Sequence, residues 1–179
     1  MRGLFVGRFQ PFHRGHLALA RGILQERPRA RLLIAIGSAE QSYTWENPFT
    51  AGERFEMIGR ALAGARLDGV DIVPVPDISR HALWVRYLEG LLPSFDRIYS
   101  HNPLTVHLFE RAGYATASPP LVDRARFEGV RIRELLARGK DVRALVPPAV
   151  AGFLREVGAS ERLGLLRPVA RARARSRGR

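Results

Sequence analysis

Short apolar runs alternate with segments of helical period along most of this chain. Arg2 to Val6 and Arg31 to Gly37 read as buried strands, the second closed by its glycine. Between them, apolar residues from Gly15 to about Glu26 recur at helical spacing and stop before Pro28. Ser38 to Phe49 is polar and aperiodic, a loop. Thr50-Ala51-Gly52-Glu53 has the form of a capping box, and Phe55, Met57, Ile58, Ala61 and Leu62 then give one apolar helical face. Val70 to Pro76 is a third strand, whose prolines place it toward a strand end or sheet edge. His81 to Leu92 is helical, Arg97 to Ser100 a strand, Leu104 to Arg111 a helix and Tyr114 to Ala117 a last short strand. Glu128 to Arg138 and Pro148 to Val157 complete the helices. Such alternation predicts an α/β fold: a doubly wound parallel sheet covered on both faces, with ligands beyond the carboxyl ends of its strands. The loops at Gly7, Gly37, Asp77 and Ser100 should converge there.

Length and composition narrow the classes. At 179 residues and 46% hydrophobic content the chain can bury one ordinary core. No apolar run reaches the length of a membrane span, and no signal-type stretch follows the first residues, so a cytoplasmic protein without membrane association is expected. The absence of cysteine excludes disulfides and thiolate metal sites. The formal charge of +12 is uneven: Arg162 to Arg179 carries seven arginines and no acid. The expected division is therefore a folded domain over 1–165 and a basic tail over 166–179, solvated by self-repulsion and capable of weak polyanion binding.

The chemistry concentrates in the first turn, Gly7-Arg8-Phe9-Gln10-Pro11-Phe12-His13-Arg14-Gly15-His16. A strand, a glycine-containing turn and a helix start build an anion site from unpaired N–H groups and the positive helix end. His13 and His16 add donors. Zinc is a weaker reading, because two imidazoles at this spacing lack an evident third ligand, with only the distant His81, His101 and His107 to supply one.

This turn resembles the HxGH signature of the nucleotidylyltransferase superfamily. In its fuller form, with Ile36-Gly37-Ser38-Ala39, Asn47 to Arg54, Ala82-Leu83-Trp84-Val85 and Asn102-Pro103-Leu104 in the same order, it resembles the archaeal-type nicotinamide-nucleotide adenylyltransferases from Met1 to roughly Leu165. The resemblance implies a Rossmann-like sheet of the nucleotidylyltransferase type with C-terminal helices. It also implies adenylyl transfer from ATP, with Mg²⁺, to nicotinamide mononucleotide, giving NAD and pyrophosphate. His13, His16 and Arg133 match its catalytic positions. Gly7, Arg8, Phe9, Gly15, Gly129 and Ile132 fall at its ATP and phosphate-binding positions. Ser38, Asp77, Trp84, Asn102 and Phe127 fall at the nicotinamide-nucleotide positions, Trp84 as a stacking platform where a helical aromatic would otherwise be core. No protein metal ligands are implied. A homo-oligomer, often a hexamer, is.

The chain departs from that pattern in its second signature. Where the family has Ser-Gly-Thr-x-Ile-Arg, this sequence reads Glu128-Gly129-Val130-Arg131-Ile132-Arg133, losing both hydroxyls and gaining a carboxylate. Backbone N–H groups and Arg133 then carry the site alone, or Glu128 meets Arg124, Arg126 or Arg131 outside the pocket, or activity falls. His101 replaces a glycine at the pocket rim. Two other functions stay open: a nucleotidylyltransferase with another phosphate acceptor, and a catalytically weakened nucleotide- or RNA-binding protein.

Overall fold

In the computed structural model, which describes residues 1–26, 29–120 and 126–168, five strands form one parallel sheet. They are β1 (Arg2–Gly7), β2 (Arg31–Ile36), β3 (Val70–Pro74), β4 (Arg97–Tyr99) and β5 (Ala115–Ala117), in the order β3-β2-β1-β4-β5. Gly7 pairs with Ile36 and Ile36 with Pro74, so β1, β2 and β3 end level, while Tyr99 pairs with Phe5 and β4 ends two residues short of β1. The chain steps outward from β1 to β3, then returns to the other side of β1. That reversal opens a crevice beside the carboxyl end of β1, where parallel sheets bind ligands. β3 is an edge strand and ends on Pro74, as its prolines predicted.

Alternate residues of the strands feed two cores. Phe5, Leu32, Ile34 and Ile36 point into one, shared with α1 (Arg14–Gln25), α2 (Ala51–Gly64), α5 (Gly129–Ala137), α6 (Pro148–Glu156) and α7 (Ala159–Leu166). Leu4, Leu33 and Ala35 point into the other, closed by Val85 and Leu88 of α3 (His81–Leu91) and Phe109 of α4 (Pro103–Arg111). Two-sided burial explains why the strands read as unbroken apolar runs. Thr50 caps α2 as expected: its side chain accepts from the Glu53 N–H, and the Glu53 carboxylate accepts from the Thr50 N–H.

The helix α7 is not predicted by the sequence pattern. Gly158, at φ 60°, turns the chain through the left-handed region after α6, and only Ala159 and Leu163 of the next eight residues are buried. Arg162, the first of the seven C-terminal arginines, forms a half-buried pair with Glu53 (2.7 Å) and donates to the Pro48 carbonyl (3.1 Å). The tail itself lies, from residue 169 onward, outside the described residues, as does Arg124. No helix among the described residues is long and apolar enough to cross a membrane.

Candidate active site

A cavity of about 540 Å³ opens where the carboxyl ends of β1, β2 and β4 meet the starts of α1 and α5. Gly7, Arg8, His13, Gly15, His16, Glu128 and Gly129 line one end. Ser38, Asp77, Trp84 and Asn102 line the other, with Phe127 alongside. A smaller cavity of about 410 Å³ adjoins it and shares Asp77, Trp84 and Asn102.

His13 is the N-cap of α1 and His16 its third residue. Each backbone N–H donates to the other ring: His13 N–H to His16 Nδ1 (3.2 Å), His16 N–H to His13 Nδ1 (3.3 Å). This is a capping box built from two imidazoles in place of a hydroxyl and a carboxylate. Because both Nδ1 atoms accept, the ring protons sit on both Nε2 atoms, which remain as donors. The rings stack with centroids 3.5 Å apart. Phe5, Phe9 and Phe12 surround His16, and His13 is only 7% exposed. Burial pushes His13 down to about 4; burial, then the neighbouring His13, holds His16 well below its ordinary value. At neutral pH both rings are therefore uncharged donors.

Three expected residues do not line the cavity. Phe9 and Ile132 are core residues, 2% and 0% exposed. The Phe9 ring fills the space a Gly7 side chain would need: a Cβ there would stand 2.8 Å from it. Gly7 is thus required by packing, in addition to any close approach of a ligand. Arg133 lies just behind Gly129, whose Cβ would meet its Nη1 at 3.3 Å. It donates to the Gln10 carbonyl (2.8 Å), its Nε is buried without a partner, and it forms no ion pair among the described residues. Burial and then the positive charge of Arg8 lower its pKa. An anion at this end of the cavity would offset both penalties.

At the other end, Ser38 Oγ donates to Asp77 Oδ2 (2.6 Å), and the Asp77 N–H donates to Glu40 (3.0 Å). Trp84 is half-buried, with its ring edge-to-face on Phe109 at 5.7 Å, so it serves the core and the cavity wall together. Asn102 has a second task that sequence reading missed. Its Oδ1 caps α4, accepting from Leu104 N–H (2.9 Å) and Thr105 N–H (3.3 Å). His101 is on the cavity rim, its ring nitrogen against the Pro119 carbonyl.

Glu128 is the exposed N-cap residue of α5, makes no capping bond and lines the cavity, so it does not stand outside the pocket. Val130 is 44% exposed. Also missed was Gln10, whose buried side-chain amide clasps the backbone of Phe49 in both directions at 3.0 Å, tying the first turn to the loop before α2. A polar residue among the aromatics of Phe9-Gln10-Pro11-Phe12 was its only signal. Among the described residues no group of three His, Asp or Glu could hold a metal ion.

Residues 4–135 match the family model described as Cytidylyltransferase-like. The nicotinamide-nucleotide adenylyltransferase of Methanosphaerula palustris is 44% identical over 163 residues, covering 90% of this chain and 95% of that protein. That of Picrophilus torridus is 42% identical over 163 residues, covering 91% and 95%. Among solved structures, a bifunctional NMN adenylyltransferase/ADP ribose pyrophosphatase from Francisella tularensis superposes with a TM-score of 0.71 at 22% identity, over 92% of this chain and 51% of that one, which shows a shared fold. With its ordered signature blocks, its sheet order and these relatives, the chain belongs to the archaeal-type nicotinamide-nucleotide adenylyltransferase family.

Proposed function

We propose that the protein transfers the adenylyl group of ATP to nicotinamide mononucleotide, giving NAD and pyrophosphate. The observation that carries the reading is the reciprocal cap of His13 and His16, which leaves two Nε2–H donors at a helix N-terminus beside the buried Arg133 guanidinium, which forms no ion pair among the described residues. In the reaction a phosphate oxygen of the mononucleotide bonds to the α-phosphorus of ATP, and the bond to the β-phosphate oxygen breaks. Negative charge gathers on the transferring group and on pyrophosphate, so preorganised donors and in-line placement supply the catalysis. His13 and His16 donate to phosphate oxygens. Arg133 and Arg8 balance the polyphosphate charge, and Gly15 and Gly129 keep the helix starts open to it. Mg²⁺ would arrive on the triphosphate, ligated by phosphate oxygens and water, and lessen its charge.

The second substrate is read by the other end of the cavity. Trp84 offers a flat face to the nicotinamide ring, with Asn102 in the same stretch of wall and Phe127 nearer His13 and Gly15. Asp77, backed by Ser38, is a carboxylate acceptor suited to a carboxamide and hostile to a carboxylate. A homo-oligomer, up to a hexamer, and a cytoplasmic setting are consistent with the family resemblance; molar mass by light scattering tests the first.

The test is NAD and pyrophosphate formation from ATP, nicotinamide mononucleotide and Mg²⁺, with His16→Ala alongside. Turnover reduced about 100-fold or more in the mutant supports the reading. The carboxylate of Glu128 favours one other reading, a nucleotide-binding protein with weakened catalysis. ATP binding without pyrophosphate release would select it.

A further inference from the structure

Arg54 is the largest side chain wholly withdrawn from solvent, at 0% exposure. It rises from the first turn of α2, and among the described residues every hydrogen bond its guanidinium makes is to a backbone carbonyl. Nε donates to Thr50 (3.2 Å), Nη1 to Arg8 (3.1 Å) and Gly37 (2.8 Å), and Nη2 to Ser38 (3.0 Å). It forms no ion pair among the described residues. One buried cation thus joins the turn after β1 to the turn after β2. Burial lowers its pKa to about 10, which leaves it charged at neutral pH.

The carbonyls it holds are not arbitrary. Phe9 and Ser38, the residues directly after the held carbonyls of Arg8 and Gly37, both have left-handed backbones, at φ 51° and 49°. For a residue other than glycine that conformation costs free energy and persists where surrounding bonds over-determine it. Both peptide units are trans, so fixing each C=O on Arg54 turns the following N–H to the opposite side. Neither the Phe9 nor the Ser38 N–H finds an acceptor among the described residues, although most peptide N–H groups near a core are paired. Arg8, Gly37 and Ser38 all line the cavity.

We infer that Arg54 is a positioning residue: it imposes the two left-handed turns and thereby sets the stretch of cavity wall formed by Arg8, Gly37 and Ser38, which meets ligand phosphate oxygens. It acts through the backbone and touches no substrate. The identity of those phosphates rests on the adenylyl-transfer reading. An apolar side chain would fill the same space, and a lysine would keep the charge, but neither can hold both turns with a planar fork.

Arg54→Lys and Arg54→Gln test this, with thermal melting to establish the folded state, calorimetric binding of Mg·ATP, and kcat and KM measured separately. Folded variants should bind Mg·ATP about tenfold or more weakly and turn over about 100-fold more slowly, as loss of preorganised donors does elsewhere. A purely structural role would lower the melting temperature and leave the affinity and kcat of the folded protein unchanged; that result overturns the inference. So does failure of both variants to fold, which would assign Arg54 to the fold alone. If the parent protein binds Mg·ATP yet forms no NAD, the adenylyl-transfer reading fails, while lost Mg·ATP affinity in the folded variants still supports the clamp.

Discussion

His13 and His16 each accept the other's backbone N–H on Nδ1, so the two imidazoles cap α1 and aim their protonated Nε2 atoms away from it. One arrangement serves stability and chemistry together. With ring centroids 3.5 Å apart, the pair resists taking up two protons.

A pH dependence follows. The fold favours the neutral form of His13, whose pKa drops from near 6.5 to about 4, so the unfolded chain binds more protons between those values. Its stabilisation is complete above pH 6.5 and is lost as pH falls toward 4, at about 1.4 kcal/mol per pH unit. His16 shifts in the same direction and adds to the slope. Phosphate arriving at these rings raises their pKa, so Mg·ATP binding near pH 6 should take up protons. Calorimetry in two buffers of different ionisation enthalpy measures this. Identical observed heats in the two buffers, before any correction for buffer ionisation, would show that no proton is taken up and overturn this expectation.

Two glycines of α1 should respond oppositely to alanine. At Gly15 a Cβ would lie 3.1 Å from the Phe127 Cβ and 3.2 Å from His13 Nδ1, so Gly15→Ala should displace His13 and cut kcat. Gly22 is exposed with nothing within 4 Å, so Gly22→Ala should stabilise the helix by about 0.5–1 kcal/mol and leave kcat alone. Melting and steady-state kinetics on the pair check it. Unchanged kcat in Gly15→Ala would mean that His13 can give way without losing its alignment.

Glu128→Ser should help both binding and stability. The substitution removes a carboxylate from the phosphate end of the cavity and places a hydroxyl at an N-cap whose side chain now makes no capping bond. The expected gain is about 1 kcal/mol in stability and a severalfold lower KM for ATP. A KM for ATP equal to or above that of the parent protein would show that the carboxylate does not oppose the polyphosphate.

The order of strands and helices was legible in the sequence because the central strands β1 and β2 are buried on both faces and each main helix has one apolar stripe. The phosphate turn was legible too, since a strand, glycines and paired histidines act over ten consecutive residues. The helix α7 was not, because its packing depends on a left-handed Gly158 and on Glu53, more than a hundred residues away. Arg54 read as part of a helix-capping segment; that its guanidinium spans two turns is a consequence of β1 and β2 lying side by side. Phe9 and Ile132 matched ligand-binding positions, yet their side chains belong to the core, since residue type and order do not say which way a residue in a turn or helix start faces. Local rules of periodicity, capping and turn chemistry need only neighbouring residues, and these determined the elements and the place of the chemistry. Which carbonyls meet a buried cation, which glycine makes room for which side chain, and which nitrogen of each histidine faces the cavity were decided by tertiary structure, because those contacts join residues the chain keeps apart or settle orientations that sequence leaves free.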